Sequence, residues 1–198
     1  SLSVFLAFWG GDIFYHVDSR LKYGLFSVEN GFSPIRYFKP PLIENLYILT
    51  TFVEFKFMQL IGSAYAETTI EYTDHIRKVL RGEYSYSISY LINAGFSAMG
   101  VAYTYLIACK LLNSKIFGVF SALILATSAI WVIDARFSSV DTPQTALTMA
   151  TLYLALKIYE EVKNSLGKIK LNKDQLISLG LMVALCTSAK YPGAFVGL

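Results

Sequence analysis

The sequence has 198 residues, of which 55% are hydrophobic and 16% are charged, and its net charge is +3. A soluble domain carries about 25% charged residues, so this composition argues against a water-soluble fold and indicates contact with lipid. Apolar runs of about 20 residues recur along the second half, and each is long enough to cross a hydrocarbon core about 30 Å thick. The lysines cluster between these runs, which indicates membrane orientation rather than nucleic-acid binding.

Five apolar segments are predicted to span the membrane as helices. They are residues 1–9, 86–109, 116–133, 142–159 and 176–198. Loops rich in Lys and Arg stay on the cytoplasmic side, which places the turn 110–115 and the segment 157–173 inside. The link 134–141 and the long loop 11–85 then lie outside. We therefore expect an all-α, polytopic membrane helix bundle with one large outer loop.

One segment of that loop, residues 42–62, is also about as long as a span. It contains three charged residues, Glu44, Glu54 and Lys56. A charge near the middle of a membrane helix costs about 2.5–3.5 kcal/mol on insertion scales, and a crossing here would also break the alternation of sides. We interpret 42–62 as an amphipathic helix lying in the outer interface, with its charges on one face. The alternative is a true span whose charges face the bundle.

The beginning of the outer loop contains two polar residues of interest. Asp12 follows the first span directly and so lies at the membrane surface. Apolar residues at helical spacing then predict a short surface helix over about 13–23, ended by Gly24. Lys39 precedes Pro40-Pro41, which fix an extended turn. Taken alone, such an Asp commonly solvates a helix end and such a Lys commonly faces lipid headgroups.

The second outer link and the last span add further charged residues. Asp134, Arg136 and Asp141 lie together between two spans. Asp141 is predicted to cap the next helix, with Pro143 in its first turn. Lys190 is predicted about 20 Å along the last span, at about 1.5 Å per residue. An ionisable group inside a span is a functional candidate, and a lipid phosphate could pair with its positive charge. The alternative is that the Lys190 side chain extends to the outer surface to reach water.

The order of these features resembles the C-type membrane glycosyltransferases of the dolichyl-phosphate-mannose protein mannosyltransferase and aminoarabinose transferase kind. The resemblance covers nearly the whole chain. Its elements in order are a span running into Asp12 with Tyr15 three residues on, Lys39-Pro40-Pro41-Leu42, a two-span hairpin with a basic turn, Arg136-(four residues)-Asp141-Thr142-Pro143, and Gly180-Leu181-(eight residues)-Lys190-Tyr191-Pro192. It implies that residues 1–198 are one N-terminal fragment of a transmembrane glycosyltransferase domain.

The resemblance also implies a reaction, in which a sugar moves from a polyprenyl phosphate to an acceptor with inversion. Asp12 is then the catalytic base, Lys39 and Lys190 contact the donor phosphate, and Arg136 with Asp141 forms a second polar element. Ile13 stands where the family often has Glu, so a scheme with paired carboxylates is in doubt. Three residues near the base are weaker candidates for the site: Tyr15, His16 and Asp18. No metal ligand or cofactor is assigned, and the question whether a divalent metal takes part in the reaction stays open.

The partners implied are a polyprenyl-phosphate-linked sugar (mannose or another hexose or pentose), membrane lipid, and an acceptor protein, glycan or lipid. Nucleic acid is not among them. The implied location is a multi-pass membrane protein whose active site faces outside the cytoplasm, at a prokaryotic plasma membrane or in the endoplasmic reticulum lumen. Two other classes stay open. A transporter would use intramembrane charges to line a pathway, although the two halves show no repeat. A non-catalytic polytopic subunit would show no dependence on Asp12.

Overall fold

The computed structural model describes residues 20–31, 42–61, 69–81, 88–135, 139–164 and 173–190, which are helical apart from short turns and contain no strand. The helices of the predicted outer loop are α1 (Arg20–Glu29), α2 (Leu42–Leu60) and α3 (Thr69–Arg81). The helices that follow are α4 (Ile88–Leu112), α5 (Lys115–Thr127), α6 (Ala129–Ala135), α7 (Asp141–Asn164) and α8 (Lys173–Ala189). The all-α prediction is confirmed for these ranges, and the predicted span 1–9 lies outside them.

The helices pack as a bundle around α4. This helix contacts α5 and α7 along most of its length, α8 packs on α7, and α6 touches α4, α5 and α7. Helix α2 contacts α1, α3, α4 and α8. It therefore connects the predicted outer loop to the bundle.

The predicted spans are only partly reproduced by the described helices. Over Tyr90–Leu112, α4 is long and apolar enough to cross a membrane. Helices α5 and α6 meet that criterion only as a pair, bent by 62°, so the described ranges contain one such helix, or two if the bent pair is one span. The span predicted over 116–133 corresponds to this bent pair of helices, and the bend lies at Ser128, which leaves the helical conformation with φ −60° and ψ 125°.

The tight basic turn predicted over 110–115 is confirmed. Helix α4 ends at Leu112 and α5 begins at Lys115, so two residues reverse the chain. Asn113 takes the left-handed conformation with φ 48°. Asn tolerates this conformation better than most residues because its short polar side chain bonds locally.

The first surface helix differs from its prediction. Its described part, α1, continues through Gly24 and ends at Glu29, with Gly31 in the left-handed conformation at φ 66°. Leu25 and Val28 are buried beyond Gly24, so the apolar face continues past that residue. Their burial outweighs the cost of about 0.5–1 kcal/mol for a glycine inside a helix. The residues of the prediction before 20 lie outside the described ranges.

The helix predicted over 42–62 is confirmed as α2, but its charges do not share one face. Glu54 is buried, and its Oε2 accepts a hydrogen bond of 3.1 Å from the amide of Ile88, the first residue of α4. Lys56 lies on the opposite, exposed face, where its Nζ donates to Gln59 Oε1 at 3.0 Å. The large apolar side chains of that exposed face are Leu49, Phe52, Val53, Phe57 and Leu60. The one-face prediction is therefore wrong, because Glu54 has a protein partner at the start of α4.

Close helix contacts in the bundle depend on two glycines. A Cβ at Gly100 of α4 would lie 2.6 Å from the indole of Trp131, which is buried. A Cβ at Gly118 of α5 would overlap Cys109 Sγ on α4. Small residues at such positions let helix backbones approach closely, which is the usual packing of membrane helices.

Candidate active site

Two of the predicted site residues meet at one end of the bundle. Lys190 Nζ donates a hydrogen bond of 2.5 Å to Asp141 Oδ1. Asp141 is the first residue of α7, and Lys190 follows Ala189, the last residue of α8. Their side chains are 52% and 37% exposed, respectively. The junction of these helix ends therefore carries an accessible ion pair.

The two helix ends complement the charges of this pair. The start of a helix carries a partial positive charge and favours the Asp141 carboxylate, whereas the end of a helix carries a partial negative charge and favours the Lys190 ammonium. An ammonium group has three N–H donors. One of them is bonded to Asp141, so Lys190 can donate to an anionic group such as a phosphate while it keeps that partner.

Asp141 does not cap α7 as predicted. Ser139 takes that place, since its Oγ accepts a long hydrogen bond of 3.4 Å from the amide of Thr142. The Asp141 carboxylate instead bonds to Lys190. Pro143 falls in the first turn of α7, as predicted, and is buried. The cap prediction failed because a hydroxyl two residues earlier satisfies the free amide.

The helices that carry the ion pair are held together one turn below it. Cys186 of α8 is fully buried, and its Sγ lies 3.1 Å from Thr148 Oγ1 and 3.8 Å from the carbonyl oxygen of Gln144, both on α7. The amide of Lys190 donates to the carbonyl of Cys186 at 3.2 Å. This packing fixes the backbone from which the Lys190 side chain extends.

A buried polar network lies beside the ion pair and was not predicted from the sequence. Tyr47 OH on α2 bonds to Asn93 Oδ1 on α4 at 2.9 Å and to the carbonyl of Ser139 at 2.8 Å. Asn93 Nδ2 donates to the carbonyl of Asp134 at 2.6 Å. These bonds reach both sides of the link that contains Arg136. No local pattern in the sequence indicates this network, because its members lie far apart along the chain.

A histidine is buried among the first helices. His75 Nε2 on α3 lies 3.7 Å from Glu54 Oε1 on α2. Burial lowers the pKa of His75, Lys78 lowers it further and Asp74 raises it. A carboxylate at 3.7 Å favours the protonated imidazole, but complete burial of the ring disfavours the charge more strongly. We therefore regard His75 as neutral at pH 7 and as part of the packing between α2 and α3.

The other predicted site residues are not described by the structure. Asp12, Tyr15, His16, Asp18, Lys39 and Arg136 lie outside the described residues. Their roles stay predictions. Within the part of the chain that is described, no group of three or more His, Cys, Asp or Glu side chains could hold a metal ion.

Comparison with known families identifies the type of protein. A family model described as dolichyl-phosphate-mannose-protein mannosyltransferase matches residues 54–198. The chain belongs to this family. Membership confirms the resemblance seen in the sequence motifs and implies a membrane glycosyltransferase, of the mannosyltransferase kind, with a polyprenyl-phosphate sugar donor. No curated protein and no solved structure is significantly similar to the chain.

The mannosyltransferase family match covers some of the predicted site residues and not others. Its range includes Arg136, Asp141 and Lys190, and it begins after Asp12 and Lys39. The ion pair at the start of α7 is therefore part of the region shared with the family. The roles of Asp12 and Lys39 still rest on the sequence motifs alone.

Proposed function

We propose that the chain is a multi-pass membrane mannosyltransferase that moves mannose, with inversion, from a polyprenyl phosphate to a protein acceptor outside the cytoplasm. The observation that carries this proposal is the family match over residues 54–198. In the proposed site, Asp12 is the base and Lys39 and Lys190 bind the donor phosphate. Arg136 and Asp141 form the second polar element.

The proposed reaction is a single displacement. The acceptor hydroxyl oxygen forms a bond to the anomeric carbon of mannose while the bond from that carbon to the phosphate oxygen breaks. Asp12 takes the hydroxyl proton, and such a base contributes typically about 10²–10⁴-fold. The electron pair of the broken bond leaves with the polyprenyl phosphate. Lysine side chains stabilise the negative charge that develops on that phosphate.

The position of Lys190 supports its proposed role. Its side chain is partly exposed at the end of α8, and one N–H group of its ammonium bonds to Asp141. Two donors remain for a phosphate group. The nearby carboxylate also holds the Lys190 side chain in position before the sugar donor binds. Less conformational entropy of this side chain is therefore lost on binding.

The spacing of ion pairs along α7 supports its assignment as a span. Asp141 bonds to Lys190 at the start of the helix, and Glu160 pairs with Lys110 near its other end. At 1.5 Å per residue, the two acidic residues are about 28 Å apart along the axis. This distance is close to the thickness of a hydrocarbon core, about 30 Å.

The side chains of the bundle are also consistent with a lipid environment. The buried face of α7 consists largely of small residues such as Ala146, Ala150 and Thr151, which is common where membrane helices pack closely. Helix α5 exposes large apolar side chains, including Phe117, Phe120 and Ile124. An exposed apolar surface of this kind is typical of contact with lipid or another protein.

Helix α2 suits the outer membrane interface. One face is buried against the rest of the protein, and the other presents the apolar side chains listed for its exposed face together with Lys56. An amphipathic helix with this pattern lies in the interface with its apolar face towards the acyl chains. Lys56 would then reach the headgroups along its aliphatic stem.

The proposal is tested by transfer of labelled mannose from dolichyl phosphate mannose to an acceptor peptide, with the full chain reconstituted in lipid vesicles. Asp12→Asn is expected to abolish transfer and leave membrane insertion intact. Asp174→Asn is the matched control, because Asp174 lies in the first turn of α8, at the other end from Lys190. Transfer by Asp12→Asn at the wild-type rate would overturn the assignment of the base.

A further inference from the structure

The link between α6 and α7 is held at both ends by side chains from other helices. Asn93 Nδ2 donates to the carbonyl of Asp134 at 2.6 Å, and Tyr47 OH donates to the carbonyl of Ser139 at 2.8 Å. The two carbonyls lie five residues apart along the chain, on either side of Arg136. The link is thus bonded to α4 at one end and to α2 at the other.

The two side chains also bond to each other. Tyr47 OH lies 2.9 Å from Asn93 Oδ1, so the phenol shares its proton between this oxygen and the Ser139 carbonyl. Both side chains are fully buried. A buried carbonyl that loses its donor finds no water to replace it, so these bonds resist displacement. The network therefore holds α2, α4 and the backbone at Asp134 and Ser139 together.

The arrangement extends from the link to the ion pair. The hydroxyl of Ser139 accepts from the amide of Thr142, in the first turn of α7. Asp141 lies between these two residues, and its carboxylate bonds to Lys190. A shift of the Ser139 backbone would therefore move the first turn of α7 and the carboxylate that holds Lys190.

We propose that Tyr47 and Asn93 are positioning residues for mannosyl transfer, which fix the backbone at Ser139 so that the ion pair of Asp141 and Lys190 meets the donor phosphate. The inference rests on the proposed function, because it takes these charged residues as donor contacts. Neither Tyr47 nor Asn93 touches substrate in this account. They act through the backbone at Ser139.

A second buried tyrosine provides a matched control. Tyr72 OH donates to the carbonyl of Ile48 at 2.7 Å and bonds to Thr51, so it also connects a buried hydroxyl to the backbone of α2. Among the described residues, its bonds are to α2 and not to Asp134 or Ser139. Tyr47→Phe and Tyr72→Phe thus remove the same group from similar surroundings, and only Tyr47→Phe frees the Ser139 carbonyl.

The experiment measures kcat and the donor KM of the full chain in lipid vesicles, with dolichyl phosphate mannose as donor, together with the unfolding temperature. Both Tyr→Phe variants are expected to unfold at lower temperature. Only Tyr47→Phe should lower kcat/KM for the donor, by about 10- to 100-fold, since small displacements at a reacting site have effects of this size. Asn93→Ala should lower kcat/KM in the same way.

A further variant shows which residue is positioned. In a Lys190→Gln background, Tyr47→Phe should cause little further loss of kcat/KM, because two changes that act through one contact are not additive. Equal losses of kcat/KM in Tyr47→Phe and Tyr72→Phe, or no loss in either, would overturn the positioning role while leaving the proposed function intact. A wild-type chain that does not transfer mannose from the lipid donor would overturn the proposed function, and this inference with it.

Discussion

Removing the charge of Lys190 separates a structural role of the ion pair from a role in donor binding. The two side chains are 37% and 52% exposed, so solvent screens their attraction. Exposed ion pairs contribute about 0.2–1 kcal/mol to stability, and each favourable charge at a helix end adds about 0.3–1 kcal/mol. Lys190→Gln should therefore lower the free energy of unfolding by no more than about 2 kcal/mol.

The expected loss of kcat/KM cannot be explained by this loss of stability. A chain that is less stable but still folded would keep its kcat/KM if Lys190 had only a structural role. A hydrogen bond to a charged group contributes about 1.5–3 kcal/mol, which corresponds to about 10- to 150-fold in kcat/KM. Lys190→Gln should show a loss of this size, mostly as a higher KM for dolichyl phosphate mannose. Asp141→Asn should have a smaller effect on KM if its carboxylate mainly holds Lys190 in place.

The assay compares these single variants, their double variant and Lys163→Gln in lipid vesicles. Lys163 is an exposed lysine in the last turn of α7, far from the ion pair, so it controls for loss of surface charge. The double variant should lose little more activity than Lys190→Gln alone, because both changes act on one contact. A donor KM for Lys190→Gln equal to that of Lys163→Gln would refute the phosphate contact.

Three further predictions concern the stability of the fold, measured by unfolding of the full chain in detergent. Gly100→Ala should lower stability by about 1–3 kcal/mol because its methyl group would meet Trp131, whereas Gly95→Ala, with nothing within 4 Å of the added Cβ, should raise it by about 0.5–1 kcal/mol. Equal effects would contradict the close contact. Glu54→Ala should lower stability by about 0.5–2 kcal/mol through loss of the bond to the first amide of α4, and Glu54→Gln, which keeps an acceptor, should lose less. The lowered pKa of His75 means that the unfolded chain binds more protons below about pH 6.5, so stability should fall as the pH drops from about 7.5 to 5.5. His75→Gln should flatten this pH dependence, and an unchanged slope would show that other groups cause it.

Local patterns in the sequence predicted some elements of the fold, such as α2 and α4, and left others, such as α3, unpredicted. The uncharged run before Lys110 predicted α4, and the short basic segment after it predicted the turn at Asn113. The first surface helix is predicted to end at Gly24, whereas α1 continues to Glu29. This continuation depends on burial of Leu25 and Val28 against other helices, which a periodic pattern does not reveal.

Contacts between distant segments were harder to predict. The topology predicted from the sequence puts Asp141 and Lys190 on the same side of the membrane, but their direct contact depends on how α7 and α8 pack. Glu54 was treated as a surface charge because its partner, the amide of Ile88, lies 34 residues away. The bond between Tyr47 and Asn93 joins residues 46 positions apart, and neither residue belongs to a sequence motif. Buried polar networks of this kind follow from packing geometry and leave no periodic signal.

The central claim is that this chain transfers mannose from a lipid phosphate, and one measurement tests it directly. The full chain in lipid vesicles is given an acceptor peptide and labelled mannose, linked either to dolichyl phosphate or to a nucleotide. We predict that label moves to the peptide from the dolichyl phosphate donor only, and that Asp12→Asn abolishes this transfer. Transfer from the nucleotide donor, or undiminished transfer by Asp12→Asn, would contradict the account.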